Sequence, residues 1–281
     1  MTMMSVETTP FFVVSSGRSG TAMMERLFSC FPQAEMHHEY MVHHIQPLAV
    51  KYHMGLIGLG EVMHTLRATH AAAIYYSDAP LWGDASNKLS WLIPALDLMF
   101  PNARYIHLVR DGRKVASSYF HKLANECYDD HATAVLQRYY DARGELPAPP
   151  PEKKYWWPLP PRGHMQELEF LTYNQFQRIA FHWAEINRTI VHDLDPIPKE
   201  RRHTVRLEDL VARADARQGL LNFLGLPWDD RVMGLLNRPH NVNRPEDYPL
   251  TREQTAQFNL IAGDVMQTFG YDRRPEYRVA Y

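Results

Sequence analysis

Only two of the 281 residues are cysteine, Cys30 and Cys127. Two thiols cannot build a disulfide framework, and they suit packing in a reducing, cytoplasmic compartment. No apolar run approaches the ~20 residues a bilayer span requires. The first candidate strand begins only about ten residues in, which leaves no room for a signal peptide. The chain therefore reads as soluble and away from membranes. Charge of one sign is also missing: 30 Lys and Arg against 32 Asp and Glu leave a net charge of −2. That balance argues against a broad nucleic-acid footprint, so any basic site is local and sized for a small dianionic nucleotide. No internal repeat is visible. A hydrophobic content of 45% supports a sizeable core, and the length fits one large α/β domain or two small ones.

What is present begins with Phe11-Phe12-Val13-Val14-Ser15-Ser16-Gly17-Arg18-Ser19-Gly20-Thr21, an apolar run feeding a Gly/Ser turn with one cation. A helix-periodic stretch, Thr21 to Phe31, follows with Met23, Met24, Leu27, Phe28 and Phe31 on one stripe. A strand that turns into a helix start leaves unpaired backbone N–H groups, and with the helix dipole they form an anion site. The turn is not a nucleotide P-loop, which carries Gly-Lys-Ser/Thr at its end. Here Thr21 follows Gly20 directly and the cation, Arg18, sits mid-loop.

A second strand-to-helix turn lies at Ala103 to Tyr119. Residues 104–110 read as a buried strand, with Arg110 at its C-terminal end, where open α/β sheets place their ligands. Ser118 follows eight residues later, about two turns into a helix starting near Asp111. A guanidinium and a hydroxyl converging there suit a second phosphate.

Together the two segments resemble the sulfotransferases that use 3′-phosphoadenosine 5′-phosphosulfate (PAPS). The resemblance runs on through Trp82-Gly83-Asp84, Phe100-Pro101-Asn102-Ala103, Arg206-Leu207-Glu208-Asp209-Leu210, Phe223-Leu224-Gly225-Leu226-Pro227 and Gly270-Tyr271. It implies an α/β fold, a central parallel sheet flanked by helices in the P-loop nucleotide-kinase-like arrangement. It also implies that Ser16, Gly17, Arg18, Ser19, Gly20 and Thr21 hold the phosphosulfate, and that Arg110 and Ser118 hold the 3′-phosphate. PAPS is then donor and adenosine 3′,5′-bisphosphate (PAP) the product, with no metal required. Many relatives carry Lys where Arg18 stands. Two departures matter. Leu207 occupies a position that is often Tyr, and no Arg-Lys-Gly segment closes the C-terminal region. Arg238 or Arg244 stands in for the latter.

Along the chain, 40–69 reads as largely helical with breaks near Gly55, Gly58 and Gly60. Leu81 to Ala85 reads as a short strand, Ser86 or Asn87 to Phe100 as a helix, 175–194 as a long helix and His203 to Leu207 as a strand. Short helices over 208–213 and 217–224 and a longer one over 251–269 close a single domain spanning 1–281. The β–α–β–α order implies a parallel sheet. Residues 125–165 break the pattern with seven prolines between Pro147 and Pro161 and the pair Trp156-Trp157. A free linker rarely carries such aromatics, so the insertion reads as a lid on the acceptor pocket or as a packed surface excursion.

Sulfuryl transfer needs the acceptor hydroxyl to lose a proton. Glu39, twenty-one residues after Arg18, is the first candidate base, because the tyrosylprotein branch of the family has its catalytic Glu there. His38 is the second. Arg18 is the candidate partner of the transferring group, and Lys88 reads as an additional stabiliser or as a surface helix lysine. His37, His38, His43 and His44 do not make a zinc motif, since His43 is rotated ~140° from His38 on a helix. The acceptor reads as a small or moderately apolar hydroxyl compound in preference to a heparan-like polyanion. Oligomeric state is not legible. A P-loop kinase and a non-catalytic nucleotide-binding protein are the alternatives.

Overall fold

β1 (Thr9–Val14) runs through the middle of the molecule, and Phe11, Phe12, Val13 and Val14 are wholly buried. Such an unbroken apolar run belongs to a strand covered on both faces. The structure, a computed structural model, describes residues 7–236 and 247–278. Arg238 and Arg244 lie outside the described residues. β1 is joined by β2 (Ala34–His38), β3 (Leu81–Ala85), β4 (Arg104–Val109) and β5 (Arg202–Arg206) in the order β2-β3-β1-β4-β5, every pair parallel.

Side chains alternate across this sheet. Phe11 and Val13 pack with Met24, Leu27 and Phe28 of the helix Thr21–Phe28, while Phe12 and Val14 face Ile45, Leu96 and Tyr105 on the other side. A third cluster joins the helix Gln175–Leu194 to the helix Arg252–Thr268, with Trp183 5.7 Å from Phe258. Both helices start at capping boxes, Asn174 with Gln177 and Thr251 with Gln254. The expected parallel α/β sheet is present. From β1 the chain moves to the β2 edge, returns to β3, then crosses to β4. The connections thus diverge at the C-terminal end of β1, the switch point where such sheets bind ligands.

Three stretches take forms that their local pattern does not specify. Ala34–His38 forms an edge strand, paired with β3 from Ala34↔Leu81 to His38↔Ala85. Only Met36 of this edge strand is buried, so no apolar alternation announced it. The helix expected over 86–100 is a 3₁₀ turn, Leu89–Trp91, followed by the helix Ile93–Met99, with Pro94 at its start. The 125–165 insertion is folded: it holds the helix Asp130–Asp141 and a 3₁₀ turn, Lys153–Tyr155. Trp156 and Trp157 are buried in the third cluster. Their indole N–H groups donate to Pro150 O (2.8 Å) and Glu126 O (2.7 Å). No helix among the described residues is long and apolar enough to cross a membrane.

Candidate active site

β1 ends where Ser15 is tied into the neighbouring turn: its N–H donates to Ser90 Oγ (2.9 Å), which donates back to Ser15 O (3.0 Å). Gly17, Arg18 and Gly20 then take left-handed conformations, φ +76°, +53° and +102°. A Cβ on Gly17 would meet Tyr119 Oη at 2.1 Å and Asn87 Nδ2 at 2.8 Å. Both its conformation and its neighbours therefore demand glycine. The Ser16 and Ser19 hydroxyls lie 3.0 Å apart. Ser16 O accepts from the Tyr119 hydroxyl and from His182 Nε2, each at 3.2 Å. Burial holds His182 down to about 3, so it is a neutral donor. The helix Thr21–Phe28 opens at Gly20 without a side-chain cap, leaving first-turn amides for an anion.

The second anion segment meets the first here. Arg110 directly follows β4, the strand beside β1, and its guanidinium donates to Arg18 O at 2.7 Å. Arg18 Nε donates to Ser118 Oγ at 3.0 Å, from the helix Gly112–Lys122. Arg18, Arg110 and Ser118 are thus linked by hydrogen bonds at one place, although Arg110 is 92 residues from Arg18.

β2 delivers the candidate bases. His38 Nε2 is 2.9 Å from the Thr21 hydroxyl. Glu39 adopts φ +54°. Its N–H donates to Ala85 O (3.2 Å), and the next amide, of Tyr40, donates to Asp84 Oδ1 (3.2 Å). Asp84 is fully buried, and its other oxygen accepts from His70 Nε2 at 3.3 Å. The Glu39 carboxylate is paired with the Lys153 ammonium from the insertion. Burial alone would raise the Glu39 pKa, but Lys88, Lys153 and His38 together hold it below the usual carboxylate range.

Lys88 is not a surface helix lysine. It lies in the turn after β3, is 6% exposed, and its ammonium stands 4.5 Å over the Trp157 ring. Burial brings its pKa down to about 8, against the pull of Glu39. Lys153, Asn87, Tyr119 and His182 are further site residues that no local pattern in the sequence marks. Leu207, the departure from the often-Tyr position, packs against Gly20: its Cδ1 is 3.0 Å from where a Cβ would stand. Among the described residues no group of three His, Cys, Asp or Glu side chains is placed to hold a metal ion.

The family model described as "Sulfotransferase family" matches residues 10–153. A sulfotransferase from Alicyclobacillus acidocaldarius, 13% identical, aligns over 95% of this chain and 96% of its own with a TM-score of 0.54. Mouse sulfotransferase SULT7A1 complexed with PAP is 12% identical over 94% of this chain and 87% of its own, TM-score 0.49. The sulfotransferase domain of the Synechococcus PCC 7002 olefin synthase is 17% identical over 100% and 98%, TM-score 0.47. No curated protein matches the chain. The family match takes in the anion loop, the Arg110–Ser118 segment, the Glu39 turn and Lys88, and on it the chain belongs to the sulfotransferase family.

Proposed function

We propose that the chain, as a single domain over 1–281, is a PAPS-dependent O-sulfotransferase acting on a small hydroxyl compound in the cytoplasm. The observation that carries this reading is the meeting of Arg110 with Arg18 O and of Arg18 with Ser118 at the switch point of the sheet. It favours this reading because it brings the two candidate anion-binding segments together, as a nucleotide with phosphates at both ends of its ribose requires. The donor brings an activated sulfuryl group; the residues bind it, hold charge and move one proton. Loop amides from Ser16 to Thr21 and Arg18 hold the phosphosulfate, with Gly17 allowing close approach of the backbone. Arg110 and Ser118 hold the 3′-phosphate. Arg18 and Lys88 place positive charge where negative charge develops on the leaving side, so no metal is needed for that task. Glu39, ionised at neutral pH, accepts the acceptor's proton. His38 keeps Thr21 oriented by the 2.9 Å contact.

Steady-state kinetics with labelled PAPS and a panel of hydroxyl metabolites tests the assignment. Arg110→Ala should raise the donor KM by about tenfold or more, the scale of a lost charge-assisted contact, at little change in kcat. Glu39→Gln should lower kcat by roughly 10²-fold or more, with donor KM retained. EDTA should leave the rate unchanged. Competition by ATP and not by PAP would instead make this a kinase.

A further inference from the structure

The surroundings of Glu39 hold more positive charge than one carboxylate balances. Lys88 and Lys153 both act on it, and among the described residues Glu39 is the only carboxylate paired with Lys153. The two lysines differ in freedom. Lys88 is buried beneath Trp157. The Lys153 side chain is 41% exposed, while its backbone is pinned: Gln46 Nε2 donates to Lys153 O (3.0 Å) and to Trp156 O (2.6 Å). A fixed backbone with a mobile ammonium can exchange partners without moving the insertion.

Proton transfer favours that exchange. When Glu39 takes the acceptor's proton it becomes neutral, and Lys153, 41% exposed, loses its protein counter-charge. Before that, the Lys153 pair weakens Glu39 as a base and occupies one of its oxygens. An anion on the acceptor answers both problems. We infer that the acceptor class is hydroxyl compounds bearing an acid group, whose anion draws Lys153 off Glu39 and keeps it paired through the reaction. This rests on Glu39 being the base.

The test uses the full chain and matched pairs of hydroxy acids and their methyl esters, both phenolic and aliphatic. With wild-type protein the acid members should have KM values at least tenfold below their esters, as a charge-assisted bond implies. Lys153→Met should erase that preference and leave the donor KM unchanged, and Lys153→Arg should retain part of it. Calorimetry on donor-free protein should show the acids binding at least tenfold more weakly to Lys153→Met. Turnover confined to esters, no turnover of any acid, or a preference surviving in Lys153→Met overturns the inference. So does a raised donor KM with acid and ester slowed equally, which would give Lys153 to the donor. Glu39→Gln separates the two readings. If it keeps wild-type kcat the base assignment fails; if it loses kcat while Lys153→Met shows no acid effect, only this inference fails.

Discussion

Gly17 illustrates how narrow the tolerance of the anion loop is. Its φ of +76° and the 2.1 Å approach of Tyr119 Oη to a notional Cβ both oppose any side chain. Gly17→Ala should cost roughly 1–3 kcal/mol of stability and weaken PAP binding, read by urea denaturation and calorimetry. Lys88 gives the loop's chemistry a pH limit. Burial lowers its pKa to about 8, so it is cationic below that value and neutral above it. Glu39 is held below the ordinary carboxylate range and stays ionised across neutrality. The kcat profile should therefore be flat through neutral pH and fall as pH rises through about 8. Lys88→Arg should abolish that fall, because Arg stays charged; a profile unchanged by this substitution would remove Lys88 from the reaction. Neither property is legible locally. Asn87-Lys88 in isolation reads as the polar start of a helix, and only the cover of Trp157 makes the lysine special.

Among the elements, β2 is the one that composition concealed. Glu35, His37 and His38 give it polar side chains that an edge strand can keep partly exposed, and β3 alone imposes its extended form. Its end is fixed by Asp84, which joins the Tyr40 amide to the buried His70 of the π-helical turn Arg67–Ala71. Asp84→Ala should cost roughly 1–3 kcal/mol for each buried donor left unpaired. It should also lower kcat by loosening the Glu39 turn. Denaturation midpoints paired with kcat check this, and a variant with wild-type kcat would detach Asp84 from the base. The insertion was half legible: Trp156 and Trp157 announced burial, while the prolines on either side of Lys153–Tyr155 concealed an ordered 3₁₀ turn. That it reaches Glu39 through Lys153 depends on packing across some hundred residues.

At the scale of the whole molecule, ligand binding should report the two anion sites as one. PAP at a hundredfold over its Kd should stabilise the fold by about 2.7 kcal/mol, seen as a raised Tm. Arg110→Ala should remove most of that shift at the same PAP concentration, and an equal shift from ATP would contradict the 3′-phosphate assignment. The sequence by itself determined the pieces whose physics is local. The apolar run Phe11 to Val14, the glycine turn after it, the strand ending at Arg110 and the hydroxyl two turns on are all set by neighbours within about ten residues. Tertiary structure alone decided the rest. Strand order β2-β3-β1-β4-β5 puts Arg110 on Arg18, brings β2's end to the loop, and folds the insertion over Lys88. Such contacts are set by which surfaces bury one another, and no window along the chain contains both partners.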